Sequence, residues 1–216
     1  MRTQDFDSGT RARVRVSRKS FSFLNLILIF VGCSSTPEQG QTTFVDNSAQ
    51  TENYSDVLEH WSQTQKSYNG IMATFQVTAT LLSNDVISQQ ALHESKQYHW
   101  GPEQLREIQK KGLDENEKTT TFFLSLYTEK DSVNNLDKSD SVWNLYLKSG
   151  DTQLKPTSVK RVYEIPITLA SKYPYFNAWS RGYYIKFLIA PSTAVTNPVT
   201  LVMAGPLGEA NLKFPK

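Results

Sequence analysis

The residues best suited to metal chemistry are three histidines, His60, His93 and His99. The segment His93–Gln97 carries the first half of the His-Glu-x-x-His zinc motif, but Gln97 stands where the second histidine ligand is required. His93 and His99 are six positions apart, which puts them on different faces of a helix. We therefore predict no metal site at the histidines, which we interpret as exposed residues or as buried residues with satisfied hydrogen bonds.

The chain lacks the patterns on which nucleophilic and nucleotide chemistry depend. It contains no Gly-x-Ser-x-Gly turn, glycine-rich phosphate loop, Walker lysine or dinucleotide fingerprint. We therefore predict that the protein is not an enzyme and holds no cofactor. A pair of carboxylates brought together only by the fold stays open as an alternative.

A loop rich in side-chain oxygens follows the segment Thr120–Thr128. Its members are Asp131, Asn134, Asn135, Asp137 and Asp140, and oxygen ligands are what Ca²⁺ prefers. The spacing of an EF-hand and its glycine are missing, and Lys130 and Lys138 reduce the negative charge. Because Asn and Asp also favour turns, we predict a turn here rather than a calcium site.

A candidate binding site is offered by clustered aromatic side chains: Tyr173, Tyr175, Phe176, Trp179, Tyr183 and Tyr184. Aromatic residues are common at binding surfaces because they give a large contact area at low entropic cost. Tyr173, Tyr175 and Trp179 are thus candidate binding residues for a glycan or peptide ligand, with Arg181 as the polar residue of the site. The alternative, which we favour, is that the cluster fills the core.

The N-terminal 33 residues have the pattern of an export signal. Six basic residues precede position 20: Arg2, Arg11, Arg13, Arg15, Arg18 and Lys19. The apolar run Phe21–Gly32 that follows is twelve residues long, whereas a helix needs about 20 residues to cross a bilayer. A basic segment, a short apolar run and a small residue are typical of a secretory signal peptide.

The end of this run, Phe30-Val31-Gly32-Cys33, resembles the lipobox of bacterial lipoproteins. The resemblance implies cleavage before Cys33, diacylglycerol on its sulfur and acylation of the new N-terminus. Several acyl chains give a firm membrane anchor. Ser34, rather than Asp, follows the cysteine, which by resemblance to the enterobacterial sorting rule implies the outer membrane. A plain signal peptide, or a buried helix containing Cys33, remains an alternative.

The net charge of the chain has a different sign when the leader is left out. The chain has 23 basic and 21 acidic residues, and 17 basic and 19 acidic residues remain after residue 32. The positive net charge therefore belongs to export and does not predict a nucleic-acid partner. We divide the chain into a signal peptide (1–32), a lipidated cysteine with a flexible polar tether (33–53) and one domain (54–216).

Periodicity predicts that the first half of that domain is mainly helical. A helix is expected at about 55–68, with Trp61 on its apolar face and Asn69-Gly70 as its end. Alternation predicts a strand at 71–81, and helical spacing covers 84–111, interrupted by Gly101-Pro102 and ended by Gly112.

From Thr119 onward the pattern is β. Strands are predicted at 120–128, 141–147, 154, 158–163 and 181–189, and a terminal hairpin joins 199–203 to 209–214 through Gly205–Gly208. About seven strands with short turns favour a mainly β fold, an antiparallel immunoglobulin-like β-sandwich with an N-terminal helix and a helical insertion, α+β overall.

Two stretches of the domain, Ser141–Leu145 and Tyr173–Tyr183, resemble segments of uncharacterised bacterial lipoprotein families, a resemblance that implies no activity. The sequence therefore predicts a lipid-anchored envelope lipoprotein in the outer membrane, with non-catalytic scaffolding or an interaction with an envelope protein as its role. The alternative is a periplasmic or surface module that binds glycan or peptide through Tyr173–Tyr184. An enzyme with an unrecognised site is the third possibility.

Overall fold

The structure, a computed structural model, describes residues 53–215. The predicted signal peptide, Cys33 and the tether lie outside the described residues. The described part is mainly β, with two antiparallel sheets of five and four strands and five α-helices. The fold prediction is confirmed at that level.

The helices and strands alternate in groups along the chain. In order they are α1 (Tyr54–His60), β1 (Ser62–Asn69), β2 (Met72–Leu81), α2 (Asn84–Tyr98), α3 (Pro102–Glu115), β3 (Thr120–Thr128), β4 (Asn144–Ser149), β5 (Thr152–Leu154), β6 (Ser158–Arg161), α4 (Pro166–Lys172), β7 (Arg181–Phe187), α5 (Pro191–Thr196), β8 (Val199–Gly205) and β9 (Gly208–Phe214). A 3₁₀ turn, Asp131–Val133, lies in the loop after β3.

Sheet A has the strand order β1-β2-β3-β7-β6, and sheet B has the order β5-β4-β8-β9. The inner faces of the two sheets pack together. Phe75 of β2 meets Trp143 edge-on with ring centroids 5.3 Å apart, and Phe122 of β3 lies 5.2 Å from Phe214 of β9. Aromatic pairs in these arrangements add to the stability gained from burial alone.

The edge of β9 is bridged by one side chain from sheet A. The amide of Gln65 on β1 donates a hydrogen bond to the carbonyl of Glu209 (3.0 Å) and accepts one from the backbone N–H of Asn211 (2.8 Å). The side chain therefore satisfies two backbone groups that an edge strand would otherwise leave free.

The outer face of sheet A is covered by helices. Phe123 of β3 points to this face and stacks on Tyr173, with ring centroids 3.7 Å apart and planes 6° from parallel. A side chain on Gly182 of β7 would meet the Phe123 ring at 3.1 Å and Leu169 of α4 at 3.5 Å. A glycine at this position lets α4 and the aromatic stack lie close to the sheet.

The predicted helix at 55–68 is wrong beyond His60, because Ser62–Asn69 is strand β1. The segment after Trp61 is almost entirely polar, so it has no apolar stripe to bury as a helix. Instead it pairs with β2, and hydroxyl hydrogen bonds join Ser62 to Thr80 and Thr64 to Thr78. Asn69 and Gly70, with φ of +63° at the glycine, form the hairpin turn rather than a helix end.

Other predicted boundaries agree with the structure or differ by a few residues. Strand β3 has the predicted bounds, the helical region breaks at Gly101-Pro102, and β8 pairs with β9 as a hairpin. Helix α3 continues three residues past Gly112, and β4 starts at Asn144 rather than at position 141. Trp143 stands just before β4, where its indole N–H donates to the Val133 carbonyl (2.7 Å).

Within residues 53–215, every helix is too short or too polar to cross a bilayer.

Gly112 supplies a test of how tightly the two long helices meet. Alanine is favoured over glycine in a helix by about 1 kcal/mol, but a Cβ at position 112 would lie 2.7 Å from Ile87 Cγ2 on α2. Overpacking of this kind costs about 1–3 kcal/mol, so we expect Gly112→Ala to lower the free energy of unfolding in urea.

A double-mutant cycle with Ile87→Ala isolates the cause, because that change removes Cγ2. In the Ile87→Ala background, Gly112→Ala should become neutral or stabilising. The same loss of stability in both backgrounds would contradict a clash between Ile87 and position 112.

Candidate functional site: a pocket beneath two helices

The predicted aromatic residues do not form one exposed platform. Tyr173 is fully buried against Phe123. Tyr175 is half-buried, and its hydroxyl shares a hydrogen bond with the hydroxyl of Thr80 on β2. Phe176 is buried as well. These residues therefore serve packing on the outer face of sheet A.

Trp179 and Arg181 occupy different surroundings from the tyrosines. Trp179 is 82 % exposed. The guanidinium of Arg181 forms an ion pair with Asp131 and donates to the carbonyl of Asn134. Arg181 is thus engaged in holding the loop after β3, and its ion pair and hydrogen bond are internal to the domain.

The oxygen-rich loop is fixed on the sheet by Asn134, which is 1 % exposed. Its side-chain amide donates to the Leu126 carbonyl (2.7 Å), and its carbonyl oxygens accept from the Tyr183 hydroxyl at 2.8 and 2.9 Å. In the part of the chain that the structure describes, no three His, Cys, Asp or Glu side chains are grouped so as to hold a metal ion.

The histidines are spread over two helices. His60 ends α1 and meets Trp61 edge-on (4.9 Å), whereas His93 on α2 stacks on Tyr54 (4.8 Å). His99 follows α2 in a left-handed conformation with φ of +54°.

A cavity of about 480 Å³ lies between α2, α3 and the outer face of sheet A. We call it the α2–α3 pocket. Its helical wall is formed by Ile87, Gln90, Ala91, Glu94, Ile108, Gly112 and Glu115, its sheet wall by Thr121, Lys160, Tyr184 and Lys186, and its ends by Leu82, Asn116, Lys172 and Tyr173. A pocket of this size, with apolar walls and a few polar groups, has the dimensions of a small-molecule site.

The pocket is present because α3 packs against α2 and leaves a space between itself and the outer face of sheet A. No residue of α3 is buried, and its apolar side chains Leu105, Ile108 and Leu113 are only half-buried. The sheet below presents Tyr184 and Lys186 rather than aliphatic side chains. The apolar face of α3 therefore lacks a complete apolar partner within the described domain.

One end of the pocket is closed by a compensated charge cluster. The ammonium of Lys172 lies 3.1 Å from a carboxylate oxygen of Glu164 and 4.0 Å from one of Glu94. Burial lowers the pKa of Lys172, but the hydrogen bond to Glu164 and the charge of Glu94 outweigh it and leave that pKa raised. Glu94 also accepts from the amide of Gln90 (2.8 Å).

Two other lysines of the pocket have no such partners. Among residues 53–215, no carboxylate lies within 4.0 Å of the ammonium of Lys160 or of Lys186. Lys160 is exposed and Lys186 is half-buried. The sheet wall thus carries uncompensated positive charge, whereas the Lys172 end does not.

Buried tyrosines surround the same region. Burial raises the pKa of Tyr54, Tyr173, Tyr175 and Tyr184, and it raises the pKa of Tyr183 to about 12. Each shift moves the pKa away from neutral pH, so these hydroxyls act as neutral hydrogen-bonding groups. General acid–base catalysis needs a pKa near the working pH, and this arrangement suits binding instead.

A second cavity, of about 460 Å³, lies between α1 and the strands β1 and β2. Tyr175 lines it together with Leu58, Thr64 and Thr78. The structure thus divides the predicted site residues between two cavities, the protein interior and the surface.

The sequence pattern did not predict the polar groups of the α2–α3 pocket, although part of the signal is visible in α2. Ile87, Gln90, Ala91 and Glu94 follow helical spacing on one face of α2. Gln90 and Glu94 are polar residues on an otherwise apolar stripe. Lys160 and Lys186 give no such signal, because only strand pairing brings them together.

Comparisons with known proteins add no activity. No protein-family model matches the chain, and no curated protein matches it. The chain is similar to a solved structure from Burkholderia pseudomallei, described as a novel protein of unknown function, with 8 % identity over 75 % of this chain and 83 % of the other, at a TM-score of 0.40. A likeness this weak carries no argument.

The raised tyrosine pKa values predict the response of the domain to alkaline pH. A tyrosine whose pKa is higher in the folded protein than in the unfolded chain stabilises the fold fully below pH 10, its ordinary value, and loses that effect as the pH rises toward the folded pKa. Urea unfolding should therefore show constant stability up to about pH 10 and a loss of about 1.4 kcal/mol per pH unit for each such tyrosine above it.

Tyrosinate absorbance provides the check on this interpretation. In the native protein, fewer of the ten tyrosines should ionise near pH 10 than in the urea-unfolded protein, and the remainder should ionise together with unfolding. Ionisation of all ten at their ordinary pKa in the native protein would contradict the burial of the cluster.

Proposed function

We propose that the protein is a lipid-anchored lipoprotein of the bacterial cell envelope, held in the outer membrane by acyl chains on Cys33, and that its domain docks non-catalytically onto an envelope protein. Support for the anchor is the segment Phe30–Cys33 and the basic and apolar leader before it. The tether of about twenty residues would span roughly 25 Å as a flexible chain. The domain would then reach partners close to the membrane.

The observation that carries the docking role is a group of exposed apolar side chains at one end of sheet A. We call it the apolar rim: Tyr68, Ile71, Met72, Tyr163, Ile165 and Trp179. Ile71, in the turn between β1 and β2, is 96 % exposed. Large apolar side chains exposed together commonly mark interaction sites.

Strand pairing explains why these residues share one end of the sheet. Ser67 pairs with Phe75, Phe75 with Thr128, and Leu126 with Arg181, so the β1–β2 turn, the end of β3 and the start of β7 lie at the same edge. Arg161 pairs with Tyr183, which brings the end of β6 to this edge. Tyr163 and Trp179 each lie two residues beyond these strand ends.

The composition of the apolar rim fits a protein partner better than a lipid surface. Tyr, Trp and Met are enriched in the cores of protein interfaces. Membrane-surface segments instead combine apolar residues with many Lys and Arg, whereas here Arg181 is paired with Asp131, and Arg161 lies 5.2 Å from the ring of Tyr163. A glycan or peptide site through Tyr173–Tyr184 has weaker support, because Tyr173 is buried.

We further propose that the two sheets form an immunoglobulin-like sandwich. Support comes from strand order: β2-β3-β7-β6 corresponds to strands A-B-E-D, and β5-β4-β8-β9 to a C′-C-F-G sheet. In this scheme β1 is an extra edge strand beside A, and α2 and α3 are inserted between A and B. An experimental structure in which the connections between the sheets have a different hand would overturn the assignment.

Labelling with palmitate tests the anchor. We expect label on the wild-type protein and none on Cys33→Ser, because the thioether and the processing that it permits require the cysteine sulfur. Ser34→Asp is the matched control: it should keep the label, and under the sorting rule it should move the protein to the inner-membrane fraction. Persistence of label in Cys33→Ser would contradict lipidation at this site.

Photo-crosslinking tests the apolar rim as a docking surface. A photoreactive side chain at position 71 or 179 should give a discrete protein adduct in envelopes, and a second change at the rim, Trp179→Ala or Ile71→Asp respectively, should abolish it. Because both side chains are exposed, each change should alter the unfolding free energy by no more than about 0.5 kcal/mol.

Leu188 provides the control for position. It is 70 % exposed and follows the other end of β7, so Leu188→Asp should leave the adduct intact. Adducts with lipid instead of protein, or an equal loss in Leu188→Asp, would count against docking of a protein at the apolar rim.

A further inference from the structure

We propose that the α2–α3 pocket binds an amphipathic anion, a carboxylate or phosphate head on an apolar body. The head would lie at Lys160 and Lys186, and the body would lie against Ile87, Ala91 and Ile108. This site is separate from the apolar rim and does not depend on the proposed docking role.

The two lysines are neighbours on the sheet wall of the pocket. Lys160 on β6 pairs with Tyr184 on β7, and Ser158 pairs with Lys186, so the lysines are diagonal neighbours on one face of the sheet. Such neighbours are about 7–8 Å apart. Within residues 53–215, neither ammonium has a carboxylate within 4.0 Å. Like charges on neighbouring side chains repel, and an anion bound by both lysines would remove that repulsion.

Charge is unevenly distributed around the pocket. Three lysines and two glutamates line it, the lysines being Lys160, Lys172 and Lys186 and the glutamates Glu94 and Glu115. Glu94 and Glu164 both lie within 4.0 Å of the Lys172 ammonium, so the negative charge is in excess at that end. At the sheet wall the excess is positive, with Lys160 and Lys186 against Glu115 alone, and an anion would be bound there by the local charge.

Helix α3 is incompletely buried above the pocket. Ile108 and the neighbouring apolar side chains of α3 are half-buried above the cavity, although the helix is amphipathic. An apolar body of about the volume of the pocket would complete the apolar surroundings that the sheet does not provide. The hydroxyl of Tyr184, kept protonated by burial, stands opposite Lys160 and can donate to the head group.

Three probes of the same acyl or alkyl chain length distinguish the possible sources of the anion. They are dodecanoate, 1-lauroyl-lysophosphatidate and dodecyltrimethylammonium. Every described core residue lies between Tyr54 and Phe214, so calorimetric titrations can use residues 46–216, with near-ultraviolet circular dichroism to verify folding. Both anions should bind at least about tenfold more tightly than the cation. Tighter binding of dodecanoate would indicate a free fatty acid, and tighter binding of the lysophosphatidate a phospholipid-derived ligand.

Variants separate the contribution of the head from that of the body. Lys160→Gln with Lys186→Gln should weaken binding of the anions about tenfold, the effect of two partly exposed ion pairs, and should strengthen binding of the cation, because the repulsion by the two ammonium groups is removed. The matched control is Lys66→Gln with Lys213→Gln, two exposed lysines of β1 and β9, which should change neither. Ile108→Trp, which fills the cavity from a half-buried position, should weaken all three probes.

The full-length protein supplies an independent readout. Extraction of the purified protein with organic solvent should release a non-covalently bound anionic lipid in stoichiometric amount. The Ile108→Trp variant should release no such lipid, although its melting temperature should be unchanged. Equal affinity for the cation, no binding of either anion, or unchanged affinity in the Lys160→Gln, Lys186→Gln variant would overturn the proposal.

Discussion

Strand β3 is buried on both of its faces, and this constraint determines how the rest of the domain is arranged. Of its nine residues, all but Tyr127 are buried. Phe122 and the other β3 side chains on the inner face must be buried by sheet B. Phe123, on the opposite face, must be buried by other elements of the fold. Because a side chain as large as Phe stabilises the fold by about 1.5–3 kcal/mol when it is buried, a two-sheet structure without helices would leave much of that energy unrealised.

The helical layer on the outer face of sheet A packs tightly over Phe123 and less tightly next to it. Tyr173 stacks on Phe123, and Gly182 leaves room for Leu169 beside it, so Phe123, Tyr173 and Leu169 are each no more than 2 % exposed. Two positions along the same pair of strands, Lys186 lies opposite Thr121, and α3 packs on α2 above them. Charge in the sheet wall prevents a dry apolar contact, since an ammonium placed in one would lose its hydration without gaining a partner. The α2–α3 pocket follows from that conflict.

Much of the fold could be predicted because the local pattern and the tertiary environment agree. The near-continuous apolar run of β3, the glycine turn between β8 and β9 and the break at Gly101-Pro102 each have one physical interpretation. Strand β1 could not be recognised in this way, because its polar residues carry no period and its strand state depends on pairing with β2. Asn69-Gly70 is compatible with either a helix end or a hairpin turn, so it could not decide the matter.

Prediction of the candidate site was limited by the same dependence on distant partners. Tyr173 and Trp179 are both aromatic and six positions apart, yet one is fully buried and the other is 82 % exposed. The difference arises because Phe123, fifty residues earlier in the sequence, lies beneath Tyr173 and offers it a ring to stack on. Lys160 and Lys186 likewise become neighbours only through the pairing of β6 with β7.

Helix α4 connects the apolar rim to the α2–α3 pocket. It begins directly after Ile165 of the rim and ends at Lys172, where the Tyr54 hydroxyl donates to the Lys172 carbonyl (2.6 Å). Leu169 is buried in the middle of the helix, and the ammonium of Lys172 is held by Glu164. These contacts hold the middle and the C-terminal end of the helix, whereas Ile165 and Ile167 at its beginning are exposed. A ligand in the pocket would meet α4 only at Lys172, the end of the helix farthest from the apolar rim.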